Sequence, residues 1–314
     1  MNLTDNAKAV LVLTTRLGER NRPSLTALMW DRVSTQLAAA GVEPSAVFDS
    51  PALADLGLDP QDVQRVDELL ASAPAVTLDL ERIAAKGIWH LTVLDDEYPQ
   101  KLRALSGHAP PVVFGVGPRT LLEHPTIGIV GSRDVHPDGA RIAREIALEA
   151  PQRGLTLASG GAKGVDQIAM AAAYEEGGAV VGVVADSLEA RIKKADIREA
   201  LDSGQTCLVS IQHPATGFSP AVAMARNKIV YALADLTVVV ASAEGSGGTW
   251  AGATEALRQK IGRVAVWRGP GEGPGNENLE QAGALPFTSI DEVWPILDAA
   301  PEPDPEQLSM GLGT

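Results

Sequence analysis

Three short glycine-bearing turns hold the residues of this chain best suited to chemistry. They read Gly131-Ser132-Arg133, Gly160-Gly161-Ala162-Lys163-Gly164 and Gly245-Ser246-Gly247-Gly248-Thr249, and each joins an apolar run to a stretch with helical spacing. Glycine lets the main chain approach an anion closely, and a helix N-terminus offers free N–H groups carrying partial positive charge. Arg133 and Lys163 add formal positive charge beside two of the turns. One such turn alone is also what tight strand–helix packing needs. Three on one edge, two with a basic residue, predict a phosphate-binding site.

Two further features bear on that site. Asp166 opens the helix after the second turn, and is either a helix-start residue favoured by the dipole or an acceptor for a ligand. Arg226-Asn227-Lys228 interrupts the apolar run AVAMARNKIVYALADL. Three consecutive polar residues point in three directions around a helix, so at least one is expected to face the sheet edge rather than water.

Other chemistries are poorly supplied. Neither a G-x-G-x-x-G fingerprint after the first strand nor a G-x-x-x-x-G-K-[ST] loop occurs, which argues against a routine NAD enzyme or NTPase, and no cofactor is expected. The histidines at 90, 108, 124, 136 and 213 lack metal-ligand spacing, and Cys207 sits mid-strand with no base nearby. No catalytic or metal residue is therefore expected. His136 is expected to be solvent-exposed, and Asp95-Asp96-Glu97 before Tyr98-Pro99 reads as a turn rather than a carboxylate pair.

The elements that must position the turns alternate regularly. Apolar strands are expected at Thr126–Val130, Leu155–Ser159, Val180–Val184, Thr206–Ser210, Thr237–Ala241 and Arg263–Trp267. Helices are expected between them near Asp138–Glu149, Val165–Glu176, Ala190–Leu201, Ala221–Leu233 and Trp250–Gln259. Strands apolar throughout and separated by amphipathic helices indicate a parallel sheet buried on both faces. The fold class is thus α/β, an extended Rossmann-like, doubly wound, mainly parallel sheet over residues 76–300, whose ligands bind beyond the carboxyl ends of the strands. A short strand WHLTVL and the apolar run VVFGVG precede it.

Residues 1–75 read as a small helical domain of the SAM type. One helix is opened by Pro23-Ser24 and ends at Gly41, a segment around 51–56 precedes another with Pro60 at its first position, and Ser72–Leu80 is the expected linker. A further helix runs from Leu80 to Lys86. The tail 301–314 is rich in proline and acid, lacks a packing pattern, and is expected to be disordered.

Composition bounds the rest. The chain has 314 residues, 45% hydrophobic and 21% charged, as in ordinary globular proteins, and a single cysteine that suits a reducing compartment. No apolar stretch of about 18 residues is present. No basic segment followed by an apolar one marks a secretory leader, so a cytoplasmic protein off the membrane is expected. The net charge of −14 repels polyanions at long range, so any nucleic-acid contact must rest on a local basic patch.

In this order, the motifs resemble the DNA-processing protein A (DprA/Smf) family. The similarity runs through GIWHLTVLDDEYPQKLRAL, PPVVFGVG, IGIVGSRDVHPDGARIAREIALEAPQRGLTLASGGAKGVDQIAMAAAYEEGG, MARNKIVYALAD, SGGTWAGA and GPGNENLEQAGALPFTSIDEV, about residues 80–298. The resemblance implies a non-enzymatic protein that binds single-stranded DNA along the Rossmann edge, acts in DNA uptake or recombination, delivers DNA to a RecA-type recombinase and forms a homodimer. It further implies that Arg133, Lys163, Arg226 and Lys228 contact DNA phosphates, with Ser132, Gly160, Gly161 and Asn227 shaping the site. The chain departs from the family at Lys163 and Lys228, where arginine is usual, at Met170, where histidine is common, and after the third strand, which carries DSLEARIKKADIREAL without tyrosine-proline. No winged-helix segment is expected after the sheet.

Two alternatives come with the same superfamily. One is a sensor of a nucleotide or nucleotide-derived ligand. The other is a phosphoribohydrolase, suggested by the turn ending Gly247-Gly248-Thr249. In that reading Glu255 lies six residues beyond the threonine, on a different face of the helix from the expected acid.

Overall fold

The computed structural model describes residues 3–19, 22–49 and 60–299. The segment 51–56 and the tail 301–314 lie outside these. Among the described residues, nine strands form one sheet: β1 (Trp89–Thr92), β2 (Val112–Val116), β3 (Thr126–Val130), β4 (Thr156–Ser159), β5 (Val180–Val183), β6 (Thr206–Ser210), β7 (Leu236–Val239), β8 (Val264–Trp267) and β9 (Leu285–Phe287). Their spatial order is β1-β2-β6-β5-β4-β3-β7-β8-β9. The seven strands from β6 to β9 are parallel, and the β1–β2 pair adds antiparallel to β6. The fold is therefore the expected α/β, Rossmann-like and mainly parallel one.

Thirteen α-helices are described with it: α1 (Asp5–Thr14), α2 (Ala27–Ala39), α3 (Pro60–Leu70), α4 (Ala73–Ala84), α5 (Gln100–Arg103), α6 (Pro137–Gln152), α7 (Val165–Glu175), α8 (Leu188–Arg191), α9 (Ala195–Asp202), α10 (Pro220–Leu233), α11 (Gly247–Gln259), α12 (Asn276–Gln281) and α13 (Val293–Asp298). The period-two alternation of the strands divides their side chains between two helical layers. Ile127, Ile129, Leu157, Val180, Leu236 and Val238 pack with Ile142 and Ile146 of α6 and Ala169 and Ala172 of α7. Val130, Ala158, Val181, Val183, Val209 and Val239 pack with Ile229, Val230 and Tyr231 of α10. Both faces are covered, which is why the strands read as uninterrupted apolar runs. Cys207 belongs to the second layer, and burial pushes its thiol up to about 12, so it is inert as a nucleophile.

From β3 the chain winds outward through β4, β5 and β6, then returns to place β7 against the free side of β3. The strand order reverses there, at the carboxyl ends of β3 and β7. Such a switch point leaves a crevice, because the helices leaving the two strands diverge to opposite faces.

The N-terminal helices cover the β2–β6 end of the sheet. Residues Ala9–Leu13 of α1 are buried all round its axis, as a helix central to its layer must be. They share one apolar cluster with Phe114, Val184, Leu188 and Leu208 of the sheet and its loops. The expected linker Ser72–Leu80 is instead the first part of α4. Pro74 lies in its first turn, and Val76, Leu80 and Ile83 fall at helical spacing and are buried, so the segment gains more from packing than from spanning solvent. The boundary expected at residues 75 and 76 falls inside this helix. The helix ending at Gly41 starts at Ala27, capped by the Thr26 hydroxyl, which accepts from Met29 N at 3.3 Å. The single helix expected at Ala190–Leu201 is split into α8 and α9. The break lets Arg191 turn back onto Asp186 at 2.6 Å while Ile197 and Leu201 pack on the sheet end.

Asp79 of α4 ties the helical layer to the sheet. One carboxylate oxygen accepts from Gly18 N at 3.0 Å and lies 3.0 Å from Nε2 of His213, a buried residue in the loop after β6. Burial raises the Asp79 carboxyl, but the bonds from Gly18 and His213, with Arg82 nearby, outweigh it and hold the group below the ordinary aspartate value. The stabilisation is therefore full above the unfolded value of 3.8 and fades as pH falls through the lower folded value. Acid titration followed by proteolysis within residues 3–84 is expected to show earlier cleavage for Asp79→Ala than for the parent. Equal acid sensitivity of the two would show that Asp79 does not hold the layer.

Candidate phosphate and nucleic-acid site

The three glycine turns leave β3 and β7, which flank the switch point, and β4, the other neighbour of β3, and open into one cavity of about 760 Å³. Its lining includes Gly131, Ser132, Arg133, Asp134, Gly160, Asp166, Arg226, Asn227 and the run from Gly245 to Thr249. Ten of the fourteen residues expected at the site thus converge: Gly131, Ser132, Arg133, Gly160, Asp166, Arg226, Asn227, Gly247, Gly248 and Thr249. Gly161, Lys163, Gly164 and Lys228 do not line it.

Arg226 is the interior cation of the site. It is 7% exposed, and its Nη1 donates to Val183 O at the end of β5 at 2.9 Å. Of the three polar residues in α10, this is the one that faces the sheet. Asp166, 5% exposed, lies beside it. Burial pushes the Asp166 carboxyl above the ordinary aspartate value, against the pull of the Arg226 guanidinium and of the N–H groups of Ala162 and Gly131. Burial likewise lowers the Arg226 pKa and Asp166 opposes the change. Asp166 thus serves as the partner of Arg226 and as an anchor for Ala162 N at 3.3 Å.

Gly160 makes this pair sterically feasible. A Cβ on Gly160 would overlap Arg226 Nη1 and lie 2.8 Å from Asp166 Oδ2. Gly164 has a different role. Its φ of +86° is a conformation side chains disfavour, and a Cβ would lie 2.6 Å from Arg133 O, so glycine lets the second turn lie against the first. Val165 N then donates to Ser132 O at 3.3 Å.

The third turn is held from two sides. Asn227 Nδ2 donates to Gly248 O at 2.9 Å. Ser246 caps α11 without a side-chain bond, which leaves first-turn N–H groups free to face an anion. Behind the turn, Asn276 is fully buried, with Oδ1 accepting from Ser242 N at 2.8 Å and Nδ2 donating to Val240 O and Trp267 O. It locks the chain leaving β7 to the end of β8. The GPGNENL stretch carries a local signal for this residue, a polar side chain at the first position of a short helix.

The cations fall into two groups. Arg133 is exposed on the rim, and Lys163 is exposed just outside the cavity. Lys228 pairs with Glu255 at 3.0 Å on the side of α10 and α11 away from the cavity, so its charge is neutralised there. Arg191 went unrecognised in the sequence. Its Nη1 lies 3.5 Å from where a Gly161 Cβ would be, and it raises the positive potential at Arg226. Exposed Lys193 and Lys194 follow it. These basic residues lie in the stretch DSLEARIKKADIREAL, and only the fold shows that the β5 loop adjoins the β4 turn. The local cationic rim against a chain of net charge −14 is the patch that a polyanion would need.

The expected non-functional residues behave simply. Nδ1 of His136, an exposed side chain, accepts from Asp138 N at 3.3 Å at the start of α6. Asp95 closes a turn by accepting from Thr92 N at 2.6 Å. Among the described residues no group of three or more His, Cys, Asp or Glu side chains is placed to hold a metal ion. No helix among them is long and apolar enough to cross a membrane.

Residues 89–298 match the family described as DNA recombination-mediator protein A. The DNA processing protein DprA of Bacillus subtilis is 26% identical over 294 residues, spanning 91% of this chain and 94% of that protein. The crystal structure of DNA processing protein A from Streptococcus pneumoniae shares the fold, with a TM-score of 0.74 and 23% identity over 96% of this chain and all of that one. DNA processing protein A of Helicobacter pylori, which binds single-stranded DNA, superposes with a TM-score of 0.56 and 23% identity over 67% of this chain and 95% of that one.

Proposed function

We propose, because the chain belongs to the DNA recombination-mediator protein A family, that it binds single-stranded DNA at the switch-point cavity and acts in DNA processing without a chemical step of its own. The observation that carries this reading is the convergence of three glycine turns and two arginines, Arg133 and Arg226, on one cavity. Main-chain N–H groups of the turns and α11 would meet phosphate oxygens, and Arg226 would supply fixed charge from within. Lys163, Lys193 and Lys194 would carry the strand away past the β4 turn and the β5 loop. The family's wider behaviour, delivery of the strand to a RecA-type recombinase by a homodimer in the cytoplasm, belongs to the same proposal.

A cavity of about 760 Å³ also lies in the range of small-ligand sites. A nucleotide sensor is therefore the second reading, and competition by a mononucleotide separates the two. The phosphoribohydrolase reading loses its acid, since Glu255 is bound to Lys228 and does not line the cavity.

The test is fluorescence anisotropy of a labelled oligo-dT at several salt concentrations. Arg133→Ala with Lys163→Ala is expected to weaken binding and to flatten the dependence of log K on log salt by about 0.7 for each phosphate no longer neutralised. An unchanged affinity and slope would show that the strand lies elsewhere.

A further inference from the structure

The cavity has an apolar rim that phosphate binding does not use. The loop entering α10 and its first turns contribute Phe218, Pro220, Ala223 and Met224 to the same lining as Arg133 and Arg226. Phe218 is 56% exposed and Met224 is 38% exposed. Most other aromatic rings of the chain, among them Trp30, Tyr98, Phe114, Tyr231, Trp267, Phe287 and Trp294, are buried. Trp250 also lines the cavity but leans on the main chain, since a Gly275 Cβ would lie 3.0 Å from its Cε3. Among the described residues, Phe218 is the aromatic whose ring is largely in water.

The chain is tethered on either side of that ring. Thr216 N donates to His213 O at 2.8 Å, Ala215 N donates to His213 Nδ1 at 3.1 Å, and the hydroxyl of Ser219, the next residue, accepts from Val222 N at 3.2 Å. An apolar ring held at the mouth of a polar cavity contributes little to folding, because its surface stays hydrated. Its two faces suit a flat, π-rich ligand group, and a nucleobase is such a group.

We propose that Phe218 is a stacking platform for one base of the bound strand, with Met224 as the adaptable edge of the same wall. This rests on the single-stranded DNA reading above. It assigns the two halves of a nucleotide to two parts of one cavity, the phosphate to the glycine turns and arginines and the base to the start of α10. Stacking tolerates any base, so the platform adds affinity without sequence preference.

The experiment compares a labelled oligo-dT with an abasic strand of the same length, titrated into the full chain as parent, Phe218→Ala and Phe218→Trp. The parent is expected to favour oligo-dT. Phe218→Ala is expected to weaken oligo-dT at least about fivefold, the lower bound for one stacked base. The abasic strand should bind parent and Phe218→Ala alike, and Phe218→Trp should restore oligo-dT. Melting temperatures of the variants check that the fold is intact.

Unchanged oligo-dT affinity in Phe218→Ala, alongside a loss in the Arg133 and Lys163 double variant, would overturn the platform and leave the phosphate site standing. Binding of neither strand by the parent would overturn both. A shift in sedimentation mass of Phe218→Ala without a base-dependent loss would assign the ring to contact between copies of this chain instead.

Discussion

Arg226→Ala is expected to destabilise the protein by about 3–5 kcal/mol near neutral pH, the scale for removing one partner of a buried charge pair. The substitution leaves Asp166 at 5% exposure without its cation and frees Val183 O of its donor. Burial already raises the Asp166 carboxyl, so in the variant the group takes up a proton rather than stay charged, and the loss should shrink as pH falls. Urea midpoints at pH 5 and pH 8 check this. Adding Asp166→Asn to Arg226→Ala should recover a large part of the loss at pH 8. Equal midpoints for the single and double variants would show that the two side chains are not coupled. Oligo-dT binding should be lost in both, since neither keeps the interior cation.

The second large effect comes from one methyl group. Gly160→Ala sets a Cβ onto Arg226 Nη1 and 2.8 Å from Asp166 Oδ2, and both partners are buried, so neither can swing clear. Overpacking of this kind costs about 1–3 kcal/mol. The larger consequence is functional, because the guanidinium must leave its place at the floor of the cavity. Oligo-dT affinity is expected to fall towards that of Arg226→Ala. The diagnostic is non-additivity: in an Arg226→Ala background the same methyl should cost little. A full cost in both backgrounds would place the clash elsewhere.

Both effects depend on a juxtaposition of residues 66 positions apart in sequence, Gly160 and Arg226. The parts of this protein that were legible without a structure are those set by local rules. Apolar runs of strand length between helical periods specified a parallel sheet, and glycines at strand ends specified tight strand-to-helix turns, because period and backbone freedom are properties of neighbouring residues. The polar triplet in α10 was legible as a feature that had to point inward somewhere.

Tertiary structure decided which of its members did so. Arg226 faces the sheet, Asn227 holds Gly248 O, and Lys228 turns to Glu255, because the helix is clamped between α11 and the strands and its rotation is set by packing. It also moved Ser72–Leu80 from linker into α4, where three apolar side chains found the sheet end to bury against. Arg191, Asn276 and Phe218 carry no local mark of their positions. Strand order brings the β5 loop beside the β4 turn, lays α12 behind β7, and stands the α10 entry over the cavity. Sequence alone thus determined the kind of element that lines this cavity, glycine-bearing turns at the strand ends of a Rossmann-like sheet. The long-range order of strands determined which side chains furnish it, since no periodicity within a segment encodes what another segment will place beside it.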